Sequence, residues 1–189
     1  MAPLLVVFSG PSGVGKDTLI EKVLEAEPCM RKVATVTTRP PRPGEVEGVD
    51  HYFVSNERFH RLVSEGALLE HARVYGNWYG VPKKDVDHLV SEGWDVILRT
   101  DIQGVASIKS LAPHAVTIFI APEDMADLEA RLSRRGATDP QSQAIRLDTA
   151  KREMDAAQSF DHVVVNPEHG LEDAVESVRQ ILARERSRT

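Results

Sequence analysis

Four groups of residues have the types and spacing to do chemistry. Gly10, Gly15 and Lys16 satisfy the spacing GxxxxGK, with Gly13 between them. In a loop of this kind glycines let successive backbone N–H groups turn inward on phosphate oxygens, and the lysine adds a point charge. The N-terminus of a following helix adds partial positive charge. The spacing alone also fits a glycine-rich turn. Its setting, after an apolar strand and before an amphipathic helix, is the one phosphate binding requires. Asp17 follows Lys16, where a hydroxyl residue that binds Mg²⁺ is the usual choice. Arg39 and Arg42 lie in a segment with Pro40, Pro41 and Pro43, which favour polyproline II. That helix has about three residues per turn, so both arginines project from one side, as an oxyanion clamp or as a solvated basic loop. Glu70 lies within the apolar run Ala67-Leu68-Leu69-Glu70-His71-Ala72, where a charge needs a partner. Arg131 and Arg135 stand i and i+4 on one helical face, and Arg146 follows in the next helix. Glu123, Asp124, Asp127 and Glu129 would balance them if this were only a charged surface helix.

These residues need elements to position them. Aliphatic runs at Leu4–Ser9, Val33–Thr37, Val96–Thr100, Ala115–Ile120 and His162–Asn166 read as five buried parallel strands. Leu19, Ile20, Val23 and Leu24 line one face of a helix after the glycine-rich loop. Pro82 is placed to open a helix ending near Gly93, and Met125, Leu128 and Leu132 form one helical stripe ended by Gly136. Asp139-Pro140 reads as an N-cap and first helical residue, and a last helix runs from about Leu171 to Arg184. Strand–helix alternation of this kind means an α/β fold: a five-stranded parallel sheet flanked by helices. Two insertions interrupt it. One is a small mixed α/β lobe at about 35–79, with strands near His51–Val54 and Leu68–Tyr75, a helix near Glu57–Ser64 and a turn at Gly76-Asn77. The other is a helical, Arg-rich lid at about 125–151, leaving a core of about 1–34, 80–124 and 152–189 in a single domain.

Composition narrows the function classes. The chain has 189 residues, 41% of them hydrophobic and 28% charged, an ordinary globular balance. A net charge of −6 argues against a nucleic-acid coat. One cysteine, Cys29, excludes an intrachain disulfide and a multi-cysteine zinc site, and the seven histidines are scattered. No apolar run approaches the ~20 residues of a membrane span, and the opening MAPLLVVFSG lacks the charged start and cleavage site of a signal peptide. The expectation is a cytoplasmic protein that acts on small molecules, without nucleic acid or membrane.

The run Thr38-Arg39-Pro40-Pro41-Arg42-Pro43-Gly44-Glu45, with Gly48, Asp50 and Phe53, resembles the guanylate kinase signature. So do Gly76-Asn77-Trp78-Tyr79-Gly80 and Asp101-Ile102-Gln103-Gly104, and the likeness extends from Leu5 to Val178. The resemblance implies a P-loop NTPase core with a GMP-binding lobe and a lid. It implies transfer of the γ-phosphate of ATP to GMP or dGMP, with Mg²⁺, in purine nucleotide metabolism. ATP would then lie on Gly10, Pro11, Ser12, Gly13, Val14, Gly15, Lys16, Asp17 and Thr18, with Asn166 near the adenine. Arg39 and Arg42 would hold the GMP phosphate with a hydroxyl from Tyr79, and His51 or Tyr52 would join them. Glu70 and Asp101 would read the guanine, with Thr35 near the base. A carboxylate matches guanine's two adjacent donors, whereas adenine would present an acceptor there. Lys16, Arg42, Arg131, Arg135 and Arg146 would carry the catalytic charge, and Mg²⁺ would be held through water near Asp17 and Asp101.

The sequence departs from that pattern at His51, usually Tyr; at Val81, often Ser or Thr; at Arg99, commonly acidic; and at Asp17, usually Gly or Ser. A ribose bisphosphate phosphokinase shares the Gly-Lys-Asp loop but not the full segment from Thr38 to Glu45. A non-catalytic guanylate kinase-like interaction module typically lacks the loop lysine or the lid arginines, which this chain keeps.

Overall fold

The computed structural model describes residues 2–134 and 140–188, with side chains throughout except at 140–144 and 146. Its first strand, β1 (Leu5–Ser9), is buried at every residue and leads through the glycine-rich loop into α1 (Lys16–Ala26). Gly15 is the N-cap of α1 in a left-handed conformation, φ 88°. A glycine meets that demand without steric cost. Leu19, Ile20 and Val23 face the core from α1, as their spacing predicts.

The remaining elements are β2 (Met30–Lys32), β3 (Thr35–Thr37), β4 (His51–Phe53), α2 (Asn56–Ser64), β5 (Leu68–Val74) and β6 (Asn77–Pro82). They are followed by α3 (Lys83–Ser91), β7 (Asp95–Arg99), α4 (Ile102–Leu111), β8 (Val116–Ala121), α5 (Met125–Arg134) and α6 (Pro140–Asp155). A 3-10 turn (Ala156–Ser159), β9 (His162–Val165) and α7 (Leu171–Arg186) complete the chain. A five-stranded parallel sheet has the order β2-β7-β1-β8-β9, and a four-stranded sheet has the order β4-β3-β6-β5.

Two compact units emerge. One comprises Phe8–Pro28 and Val116–Thr189; the other comprises Ala2–Val7 and Cys29–Ala115. The first holds the glycine-rich loop and the Arg-rich helices. In it, α7 buries Ala174, Val178, Ile181 and Leu182. The second holds the four-stranded sheet with α2, α3 and α4. Ser55 caps α2 by accepting from the Arg58 N–H at 3.2 Å. No helix among the described residues is long and apolar enough to cross a membrane.

Three sequence expectations are corrected. Val33–Thr37 is not one strand of the parallel sheet. Met30–Lys32 pairs with β7, and Thr35–Thr37 pairs with β4 and β6 in the other sheet. The buried run spans the place where the chain changes sheets, and hydrophobicity alone carries no pairing partner. Asn77–Pro82 is a strand antiparallel to β5, not a turn leading into a helix. The register Val74 to Asn77 makes Tyr75-Gly76 the two-residue loop, and both have positive φ (47° and 84°). Such a loop matches the twist of a hairpin, and a glycine at its second position eases it. Pro82 ends β6 and N-caps α3, one residue before the position its ring geometry suggested. For the lid, α6 begins at Pro140, while Asp139 and Gly136 lie outside the described residues.

Candidate active site

One group of expected site residues lies on the loop between β1 and α1. Gly10 has φ 138°, and a Cβ there would stand 2.2 Å from the carbonyl oxygen of Ile120 on β8, so only glycine fits. Lys16 turns its ammonium group back onto the loop and donates to the carbonyls of Gly10 and of Pro11, the latter at 2.8 Å. Pro11 and Val14 are buried, Ser12 and Gly13 partly so, and Asp17 and Thr18 are exposed on the first turn of α1. Asn166, just after β9, is buried and donates its amide to the Val14 carbonyl at 2.8 Å. Its Oδ1 has no hydrogen-bond partner among the described residues.

Arg131 reaches the same loop from α5. It donates to the Val14 carbonyl at 3.3 Å and to the Asn166 carbonyl at 2.9 Å, while Asp127, one turn back, accepts from its Nε at 2.8 Å. Leu128 and Leu132 are fully buried on that helix, and a Cβ on Gly13 would meet Leu132 at 2.8 Å. The stripe read from sequence therefore seats α5 on the phosphate loop. Arg135 lies outside the described residues; Arg146 lies in α6, and its side chain is outside them.

A second group of expected site residues lies in the other unit. Arg39 is 8% exposed and is clasped by Glu45 through both guanidinium nitrogens, Nη1 donating at 2.7 Å. Glu45 also accepts from the backbone N–H of Arg42 at 2.7 Å. Arg39, and with it Arg42's N–H, holds the Glu45 carboxyl down at about 2, against the cost of burial. Arg42 itself is exposed. Tyr79, on β6, is partly buried, its ring 6.1 Å from that of His51.

The pleat sends the neighbouring side chains of His51 and Tyr52 to opposite faces. His51 is 2% exposed, with Nδ1 2.7 Å from the Thr35 hydroxyl and Nε2 3.0 Å from a guanidinium nitrogen of Arg99. Tyr52 points the other way and donates to Asp85 on α3 at 3.0 Å. Thr35 is buried and meets the His51 ring.

Glu70, on β5, is 6% exposed. Thr100 donates its hydroxyl to Oε1 at 3.0 Å, and Oε2 has no hydrogen-bond partner among the described residues. Burial pushes the carboxyl up to about 7; Asp101 adds to the rise and the Thr100 bond opposes it. Asp101 is the N-cap of α4, its Oδ1 accepting from the Gly104 N–H at 2.8 Å. Sequence reasoning missed Thr100 and the part played by Gly104. A Cβ at Gly104 would come within 2.0 Å of the Thr100 hydroxyl and 2.5 Å of Oε2. A glycine inside a helix costs about 1 kcal/mol relative to alanine, and that anomaly was the available signal. Val81, fully buried, stands opposite Glu70 in the β5–β6 register.

A glycine-rich loop that leads from a buried parallel strand into a helix N-terminus is the architecture of a P-loop phosphotransferase. The guanylate kinase family model matches residues 3–185. A guanylate kinase of Clostridium perfringens is 41% identical over 185 residues, 98% of this chain and 85% of the relative. One of Rickettsia bellii is 38% identical over 98% of this chain and 96% of its own. Among solved structures, the guanylate kinase of Anaplasma phagocytophilum superposes with a TM-score of 0.79 at 34% identity, over 97% of this chain and 86% of that one. A shikimate kinase from Bacteroides thetaiotaomicron, at 14% identity and a TM-score of 0.53, shares the fold alone. The chain belongs to the guanylate kinase family, nucleoside monophosphate kinases that phosphorylate GMP at the expense of ATP.

Proposed function

We propose that this chain transfers the γ-phosphate of ATP to GMP, and to dGMP, with Glu70 as the residue that selects guanine. The observation that carries the reading is Oε2 of Glu70: a buried carboxylate oxygen without a hydrogen-bond partner among the described residues, beside an oxygen already held by Thr100. An unpartnered buried oxygen costs free energy that a ligand's donor can recover. Guanine offers adjacent N1–H and N2–H₂ donors; adenine does not. Arg39 and Arg42 take the acceptor phosphate with Tyr79, and Asp101 supports the base through α4. Lys16 and the loop N–H groups hold the ATP phosphates. Arg131 neutralises charge on the transferring group, with Arg135 and Arg146 assigned to the same task from sequence. Phosphoryl transfer depends on positioning and charge neutralisation, so this division of labour needs no protein nucleophile.

No group of three or more His, Cys, Asp or Glu residues among those described could hold a metal ion. Mg²⁺ carried in with ATP would supply charge neutralisation at the phosphates. Asp17, exposed on the first turn of α1, is the residue placed to accept from magnesium-bound water, with Thr18 toward phosphate oxygen. Asp101 has one oxygen committed to its helix cap and contributes at most the other.

A coupled ADP-release assay with GMP, dGMP, AMP and ribose bisphosphate tests the reading. Turnover confined to GMP and dGMP is the expected result. Release with AMP or ribose bisphosphate, or no release with any acceptor, overturns it.

A further inference from the structure

His51 and Arg99 meet in the acceptor unit at 3.0 Å, and neither side chain has its expected type for the family signature. An arginine can only donate, so the bond requires a lone pair on His51 Nε2. The ring proton is then on Nδ1, which donates to the Thr35 hydroxyl at 2.7 Å, with the Thr35 carbonyl further off at 3.3 Å. The imidazole is thus a neutral spacer with a fixed tautomer. Burial first, then the charges of Arg99 and Arg39, lower its pKa to about 4, in keeping with that tautomer.

The consequences concern Arg99. A neutral ring orients a guanidinium without cancelling its charge. The same ring has Tyr79 on one side, at 6.1 Å between centroids, and feels Arg39 as well as Arg99. His51 Nε2, engaged by Arg99, has no proton to offer an acceptor phosphate. Arg99 ends β7, at the carboxyl edge where α/β proteins bind ligands. It is partly exposed, whereas His51 is almost wholly covered.

We propose that Arg99 is a further phosphate-binding residue of the acceptor site, and that His51 is a positioning residue that holds the Arg99 guanidinium toward that phosphate. The proposal rests on the reading of this unit as the GMP site. It transfers the direct contact expected of His51 or Tyr52 to Arg99 and makes Arg99 and His51 a functional pair.

Calorimetric titration of the full-length protein with GMP and with guanosine separates phosphate recognition from base recognition. In the wild type GMP binds more tightly than guanosine. A charge-assisted contact is about twice as strong as a neutral one, so Arg99→Ala lowers GMP affinity by about tenfold or more and leaves guanosine affinity within about twofold. It also flattens the salt dependence of GMP binding. Arg99→Lys restores part of the loss. His51→Leu gives a smaller fall in the GMP-to-guanosine ratio, and His51→Gln recovers it, because the amide oxygen can accept the same Arg99 N–H. An unchanged ratio in Arg99→Ala overturns the proposal, and so does an equal loss of both ligands, which marks a structural role. A His51→Gln protein that behaves as His51→Leu overturns the pairing. Failure of the wild type to bind GMP at all overturns the underlying acceptor-site reading, and is seen before any variant is made.

Discussion

Thr100 donates to one oxygen of Glu70 at 3.0 Å, and the other oxygen of that carboxylate, 6% exposed as a residue, has no hydrogen-bond partner among the described residues. The two strands that bring these residues together, β5 and the end of β7, are far apart in sequence. The pair has an energetic signature. Burial raises the Glu70 carboxyl to about 7. A carboxyl raised in the folded state contributes its stability below its unfolded value, and that contribution is lost as pH rises through the folded value. Between about pH 4.5 and 7, and just above, ligand-free protein should therefore lose stability through Glu70. Glu70→Gln should flatten the fall in Tm over that window, and melting curves at a series of pH values check it.

The same residue should couple GMP binding to proton release. Donors on guanine favour the ionised carboxylate, so binding draws its pKa down, and affinity for GMP should rise as pH increases through about 7. Calorimetry in buffers of different ionisation enthalpy reads the released proton. The GMP phosphate titrates too, so the relevant quantity is the difference between wild type and Glu70→Gln. That variant should lose about 1.5–3 kcal/mol in kcat/KM for GMP, the range of a hydrogen bond to a charged group, with KM for ATP little changed. Equal proton release from both proteins would remove Glu70 from the linkage.

Gly104→Ala addresses the space beside that carboxylate. Alanine is the better helix former by about 1 kcal/mol, so an otherwise neutral site would gain stability. Here the new methyl would stand 2.0 Å from the Thr100 hydroxyl and 2.5 Å from Glu70 Oε2, and both must move. Moving the Thr100 hydroxyl takes with it the hydrogen bond that holds Glu70 Oε1, so the Glu70 geometry is disturbed from both sides. KM for GMP should rise by about tenfold or more, since misplaced base contacts lose most of their worth, while KM for ATP stays put. Steady-state kinetics with each substrate varied in turn decides it.

The difference between what sequence revealed and what it hid follows from the range of the interactions. The phosphate loop was legible because its glycines, Lys16 and the start of α1 are contiguous, and local geometry fixes what they can do. Four of the five core strands were legible as aliphatic runs, since parallel strands covered on both faces leave no polar alternation, and the fifth, Met30–Lys32, carries too few apolar residues to announce itself. β3 and β6 were hidden for the opposite reason: Thr35–Thr37 and Asn77–Pro82 mix polar and apolar residues, and only their partners make them strands. The Glu70–Thr100–Gly104 arrangement is assembled by the fold from distant segments, so no spacing announces it. His51 and Tyr52 were indistinguishable as letters. Register with Thr35 sends one to Arg99 and the other to Asp85.

Arg131 makes the lid testable separately from the proposed GMP site. It binds Asp127 and two carbonyls, of Val14 and Asn166, so it is already oriented at the loop that would hold ATP. Arg131→Ala should lower kcat by up to about 10³-fold, the lower end of what a charge-neutralising arginine contributes to phosphoryl transfer. Lys16→Met should remove most turnover. GMP binding without ATP should survive in both. Full activity in Arg131→Ala would exclude that residue from the catalytic set.

α7 is held on α1 by an ion-pair cluster as well as by its apolar face. Glu27, just past the end of α1, accepts from Arg179 Nε at 3.1 Å and from Arg186 Nη1 at 2.8 Å. The two arginines are nearly two turns apart on α7, so one carboxylate fastens the helix at two points. Burial opposes the charge, yet the hydrogen bonds from Arg186 and Arg179 win and lower the Glu27 pKa. A carboxyl lowered in the folded state contributes stability above its unfolded value and loses it as pH falls through the folded one. Glu27→Ala should thus destabilise the protein by about 1–3 kcal/mol at neutral pH, with a smaller difference from wild type in acid, below the usual carboxylate range. Arg179 is nearly half exposed, so its share is the lesser one. A double-mutant cycle separates the contributions: Arg186→Ala should cost much less in the Glu27→Ala background than in the wild type. Costs that simply add in denaturant unfolding would mean that the carboxylate and Arg186 act independently.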